Sequence, residues 1–140
     1  MVQLIVGEKG KGKTKHLLDK VNNAVKTASG NIVYLDKDSK HMYELKNAIR
    51  LINTKEYPIS NTDEFIGFIC GIVSQDHDIE EMYLDSFRVV ASITDDSNVE
   101  AVLDKLVKIS DMFKVNFTVS IALDESAIPE SYKSNIIVSL

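Results

Sequence analysis

Residues Gly7-Glu8-Lys9-Gly10-Lys11-Gly12-Lys13-Thr14 fit the pattern G-x-x-x-x-G-K-[ST] at every fixed position. At ordinary residue usage a chance match arises on the order of once per hundred chains of this length. The pattern has mechanical meaning only where a strand runs into a helix, and both flanks supply that. Val2-Gln3-Leu4-Ile5-Val6 is a short apolar run stopped by Gly7, the mark of a buried strand. After Gly12, residues Leu17, Leu18, Val21, Ala24, Val25 and Ala28 fall on one face of a helix. Gly30 stands where a C-terminal cap is expected. Ile32-Val33-Tyr34-Leu35 is a second apolar run, closed by Asp36. Strand, helix and strand in this order predict a parallel βαβ unit.

The rest of the chain extends that alternation. Met42, Leu45, Ala48, Ile49 and Ile52 have helical spacing, and Asn53 to Ser60, with Pro58, reads as a loop. Asn61 and Glu64 resemble a capping box before an apolar helix, Phe65 to Val73. Met82-Tyr83-Leu84 predicts a short strand ending at Asp85. Ser97 and Glu100 form a second capping box before Val99, Val102, Leu103, Leu106 and Val107. Phe117 to Leu123 is a strand with small residues, Thr118, Ser120 and Ala122, at alternate positions, as suits a central strand covered by helices. Ile136 to Leu140 is the last expected strand. A length of 140 residues predicts one domain, 1–140. The fold class that follows is α/β, three layers, with a mainly parallel five-stranded sheet flanked by helices.

Composition narrows the function. The chain is 44% hydrophobic and 26% charged, which is ordinary globular usage and argues against disorder. A net charge of −5 gives no support for a nucleic-acid partner. A single cysteine, Cys70, excludes a disulfide framework, and within the apolar helix a buried thiol is expected. His16, His41 and His77 are too scattered for a zinc site. No apolar run reaches bilayer length, and the N-terminus carries no basic leader, so a cytoplasmic protein without a membrane partner is expected.

Each residue of the loop has a physical task. The glycines let the backbone turn tightly and present N–H groups to an anion. The helix starting near Lys13 adds the positive end of its dipole. Lys13 would reach the β- and γ-phosphates of a nucleotide, and the Thr14 hydroxyl would ligate Mg²⁺. Lys9, Lys11 and Lys15 add positive charge beside Glu8. The expected ligand is therefore ATP or ADP with Mg²⁺.

At these residues the chain resembles the P-loop NTPase superfamily. The five strand runs are similar to the core of its RecA-like branch, in which the loop-bearing strand lies between the fourth and fifth strands. The resemblance implies that Asp85 holds Mg²⁺ as the Walker B aspartate. The chain also resembles, loosely, small bacterial proteins labelled PilT-like. Pilus-retraction motors carry a further domain and further motifs, so retraction is not implied. Adenine is favoured over guanine, because no D-x-x-G follows the Asp85 strand and Asn53-Thr54-Lys55-Glu56 does not match N-K-x-D.

The catalytic side is less complete. Ser86 follows Asp85, and serine is a poor general base without an activating partner. Asp124 or Glu125, after the fourth strand, is the candidate substitute, with Glu125 taken with Lys13 and Asp85 as the catalytic set. The leading expectation is an ATP-binding protein whose hydrolysis is slow or activated by a partner, with a regulatory or assembly role. A small-molecule kinase using Asp36 is the first alternative, weakened by having only two arginines, Arg50 and Arg88, neither in a lid position. A non-catalytic nucleotide-binding interaction module is the second. The apolar Phe65–Val73 helix predicts either deep burial or self-association.

Overall fold

A computed structural model of the chain describes residues 1–140. Six strands form one sheet: β1 Val2–Val6, β2 Asn31–Asp36, β3 Ile49–Asn53, β4 Ile79–Leu84, β5 Asn116–Ile121 and β6 Ile136–Ser139. They lie in the order β3-β2-β4-β5-β1-β6. Every neighbouring pair is parallel. Helices α1 Lys13–Ala24, α2 Thr62–Ser74, α3 Phe87–Val90 and α4 Val99–Phe113 cover both faces.

The topology explains an asymmetry in the core. Connections running toward β3 pass over one face, where α1 and Leu45 pack. Connections running toward β6 pass over the other, where α2, α3 and α4 pack. Right-handed crossovers require that division. The three-helix face buries 26 residues in one cluster and the α1 face only nine. Alternation along the strands sorts the side chains. Val33, Leu35, Met82, Leu84, Phe117 and Val119 face the three helices. Ile32, Tyr34 and Tyr83 face α1. On β5 the α1 face carries Thr118 and Ser120, both buried, and their small side chains leave room for the helix crossing above them.

The sheet has six strands, not the expected five, and the difference lies between residues 42 and 53. Met42–Glu44 is one 3-10 turn, and Ile49–Asn53 is an edge strand paired with β2. The helical spacing of Met42, Leu45 and Ile49 is incidental, since Met42 is largely exposed while Leu45 and Ile49 are buried. Exposed Arg50, in ion pair with Asp76 at 2.7 Å, puts a charge on this edge and blunts it against further pairing.

Three smaller expectations also change. Gly30 is not a helix cap, because α1 ends at Ala24 and Val25 caps it. A Cβ at Gly30 would lie 2.4 Å from the Asp78 carbonyl, so the residue is needed for close approach of two chain segments. The Ser97–Glu100 capping box does not form. Ser97 lies in a 3-10 turn where its N–H is held by Asp95, and Glu100 accepts from Ser131 instead. Cys70 is exposed, because α2 buries the Phe65, Ile69 and Val73 stripe and turns Cys70 outward. At the start of α2 the Asn61 side chain accepts from the Glu64 N–H as expected, while the Glu64 carboxylate reaches back to Ser60.

Candidate functional site

The Gly7–Thr14 loop connects β1 to α1 at the carboxyl end of the sheet, where open α/β sheets bind ligands. Gly10 and Gly12 have φ of 85° and 93°, in the left-handed region that favours glycine. The Lys13 Nζ donates to the Glu8 carbonyl at 2.9 Å, so the lysine folds back across its own loop. Partial burial holds its ammonium below the usual lysine range, against an opposing pull from Asp85. Glu8, Lys9, Lys11 and Lys15 are exposed.

The opposite wall is built from strand ends. The register that pairs Leu35 with Leu84, and Leu84 with Val119, brings the following residues Asp36, Asp85 and Ser120 side by side. Period-two alternation places all three on the α1 face. Asp85 is 2% exposed and accepts four hydrogen bonds. Its Oδ1 takes the Ser120 hydroxyl at 2.7 Å, the Ser86 N–H at 2.9 Å and the Thr14 hydroxyl at 3.3 Å. Its Oδ2 takes the Tyr34 hydroxyl at 2.9 Å. Burial first, and then the Asp85 charge, push the Tyr34 phenol well above its usual range, so it remains a donor. Ser86 adopts φ 54° and donates its N–H to Ser120 Oγ as well, which fixes the turn out of β4.

Asp36 sits on the neighbouring strand, also 2% exposed. Its Oδ1 accepts the Lys37 N–H at 2.7 Å, and its Oδ2 has no partner. Desolvation, reinforced by the nearby Asp85 charge, raises its carboxyl to about 6.

A cleft of about 440 Å³ separates the two walls. Lys9, Gly10, Gly12, Lys13 and Thr14 line it from the loop. Lys37, Asp85, Ser86, Arg88, Val89, Ser120 and Ala122 line it from the strand ends and α3. Four cations, Lys9, Lys13, Lys37 and Arg88, thus face one carboxylate in a chain of net charge −5. That arrangement suits a polyanion carrying a hard cation, with the Thr14 hydroxyl and Asp85 as oxygen donors.

A solved structure shares this architecture. It is the flagellar accessory protein FlaH from Methanocaldococcus jannaschii, with a TM-score of 0.59 at 14% sequence identity. The match covers 93% of this chain and 63% of that one, so this chain spans less than two-thirds of its neighbour's length. At that identity the likeness establishes the fold, an α/β parallel sheet flanked by helices. No protein-family model matches the chain, which leaves the PilT-like resemblance without support there, and no curated protein sequence matches it.

The structure gathers Lys13, Thr14 and Asp85 and leaves the other acidic candidate apart. Glu125 is exposed in a 3-10 turn, Glu125–Ala127, and does not line the cleft. Asp124 caps that turn through Ser126, and these hydrogen bonds hold its carboxyl below the usual range. Neighbouring Leu123 accepts the Gly7 N–H at 2.9 Å, so the segment braces the loop. His16 is exposed, and His41 pairs with Glu44. Sequence reasoning passed over Ser120, Tyr34 and Arg88 as site residues. Ser120 was recoverable, because it shares the small-residue face of β5. The other two depend on strand order and on where α3 lies.

Proposed function

We propose that this cleft binds a nucleoside triphosphate with Mg²⁺, ATP in preference to GTP, and that the protein is a slow or partner-activated ATPase with a regulatory or assembly role. The observation that carries this reading is the 3.3 Å hydrogen bond from Thr14 to Asp85. These residues are 71 positions apart, yet the fold brings the two oxygen donors together, and they would hold a Mg²⁺ ion supplied with the nucleotide. The cationic lining and the Lys13 ammonium support the same ligand. The strand order supports the RecA-like branch, since β1 lies between β5 and β6. The neighbour, a flagellar accessory protein, is in keeping with an assembly role. Under this reading the partner is a second copy of the chain or another protein, and no helix of the chain is long and apolar enough to cross a membrane.

Turnover by the protein alone is slow. Ser86 spends its N–H on Asp85 and Ser120, and Glu125 stands outside the cleft. Asp36 is buried and lines the cleft no more than Glu125 does, so it does not stand where it could orient a water. Its burial argues against the kinase reading, in which it would have to meet an acceptor substrate. Incomplete sites of this kind turn over at roughly 10⁻⁴ to 10⁻² per second. The test is a thermal-shift panel of nucleotides with Mg²⁺, followed by phosphate release. Stabilisation by ATP and ADP with a rate in that range is expected. No shift at millimolar nucleotide rejects the reading, and a rate above about 1 per second rejects slow turnover.

A further inference from the structure

Helices α2 and α4 lie side by side on the three-helix face and leave a groove of about 580 Å³ between them. Its lining is mostly apolar, with Ile66 and Cys70 on the α2 side and Ala101, Ile109, Met112 and Phe113 on the α4 side. Met112 and Phe113 are 64% and 44% exposed, the only exposed large hydrophobic side chains that share an α-helix. The charged lining is Asp104, Lys105 and Lys108. Neither lysine takes part in an ion pair, and Asp104 accepts the Tyr132 hydroxyl at 2.5 Å. An exposed apolar patch with a charged rim marks an interaction surface.

The two ends of the groove differ in size and in charge. Helices α2 and α4 each join one parallel strand to the next, so they run in the same direction. The end toward their N-termini is small. It carries Ala101, and exposed Gly67 of α2 has open space where a Cβ would stand. The end toward their C-termini is large, because Met112 and Phe113 stand out there. Charge follows the same axis. Exposed Asp63 and Glu100 lie in the first turns, Asp104 precedes Lys108 by one turn, and at the far end Lys114 offsets Asp111.

We propose that a second copy of the chain docks on this face, across a two-fold axis perpendicular to the helices. An interface of that symmetry must be complementary to its own reversed image, and a groove with unlike ends meets the condition. Met112 and Phe113 of each copy fill the small end of the other, at Ala101 and Gly67. Asp104 of each copy pairs with Lys108 of the other, twice by symmetry, with the axis crossing α4 midway between them. A two-fold axis parallel to the helices would instead set Lys108 against Lys108. Reversal also opposes helix dipoles that α2 and α4 align within one chain. No residue of the groove lines the cleft, so the inference stands whatever the cleft binds.

The experiment is sedimentation of the parent and variants over a concentration series, without nucleotide. The parent should show a monomer–dimer equilibrium. A parent monomeric up to about 0.5 mM leaves the groove to some other occupant and overturns the proposal. Met112→Glu changes an exposed side chain and should weaken the dimer at least about tenfold. Lys108→Glu should weaken it about fivefold, and Asp104→Lys combined with Lys108→Asp should recover the parent's affinity within about twofold. A dimer unmoved by Met112→Glu and Lys108→Glu uses another face and overturns the assignment. A folded charge-swap variant that stays weak overturns the two-fold pairing. Thermal unfolding shows whether that variant is folded, and the two single variants decide if it is not. Cys70, the single cysteine, gives a second readout. A maleimide should alkylate it several-fold more slowly in the dimeric parent than in Met112→Glu, and equal rates overturn the assignment.

Discussion

The two walls of the cleft are made in opposite ways. The Gly7–Thr14 wall is contiguous in sequence, largely exposed, and held by few side-chain hydrogen bonds, chiefly Lys13 to the Glu8 carbonyl. The Asp85 wall is assembled from β2, β4, β5 and α3, and its central carboxylate is buried under four donors, one of them Thr14 from the loop side. A contiguous wall can be altered without disturbing the core. An assembled wall couples ligand chemistry to the stability of the sheet. The two should therefore respond differently to single substitutions.

The largest effect is expected on the assembled wall. Asp85→Ala leaves the Tyr34 and Ser120 hydroxyls without their acceptor in a buried site, while the Ser86 N–H keeps only Ser120 Oγ. A loss of about 3 kcal/mol in unfolding free energy is expected by chemical denaturation. The same substitution should reduce the Mg²⁺ dependence of nucleotide binding more than metal-free binding. If stability is unchanged, the two walls are not different in kind. Lys13→Ala is the counterpart. In the parent, nucleotide at a hundred times its dissociation constant should stabilise the fold by about 2.7 kcal/mol. The variant should lose that increment yet match the parent's unfolding without nucleotide within about 0.5 kcal/mol. Unfolding of the variant alone would show that Lys13 serves the core as well as an anion.

The same contrast decides what was legible in the sequence. The loop could be read because all its residues are consecutive and its two flanks have clear periods. Asp85 could be read because it closes an apolar run. Its supports could not, because Tyr34 and Ser120 meet it only through the register of three strands. Arg88 stood among the arginines set aside for lack of a lid, yet a short helix after β4 brings it to the cleft. Strand β3 was misread as helix because its apolar spacing fits both periods over so few residues, and pairing with β2 decides between them. The exposure of Cys70 was hidden for a related reason. An apolar helix such as α2 does not reveal from sequence which stripe the sheet will cover.

Asp36 sharpens the comparison through pH. Its folded-state carboxyl is raised to about 6, whereas an unfolded aspartate titrates near 3.8. Between those values the folded protein holds a proton that the unfolded chain has released. Stability due to this group is therefore full below about pH 4 and falls as pH rises through about 6. Asp36→Asn should stabilise the protein by about 3 kcal/mol at pH 7.5 and flatten its stability profile between about pH 4 and 6. Unfolding curves across that range check it. A variant less stable than the parent at pH 7.5 would show that the charged carboxylate has a partner the free Oδ2 does not reveal. Phosphate release from the same variant, set against Glu125→Gln, tests the two candidate carboxylates. Phosphate release unchanged in both is the expected pattern, since neither carboxylate lines the cleft.

Ser120→Ala should give the smallest effect and the finest cut through the assembled wall. The hydroxyl is 1% exposed, donates to Asp85 Oδ1 at 2.7 Å and accepts the Ser86 N–H at 2.9 Å. Its removal orphans nothing. Ser86 keeps its bond to Asp85, and Asp85 keeps Tyr34, Ser86 and Thr14. The methyl group of alanine fits the small-residue face beneath α1, so no packing is lost. A cost of about 1 kcal/mol follows, the net worth of one buried hydrogen bond. The Mg²⁺ dependence of nucleotide binding should be unchanged, because the remaining donors still fix the carboxylate. Titration of Mg²⁺ at constant nucleotide, read by the thermal shift, tests this directly. If Ser120→Ala instead weakens Mg²⁺ dependence as far as Asp85→Ala does, the serine is what aims Asp85 at the metal. The assembled wall would then act as one rigid unit, with no redundancy among its four donors.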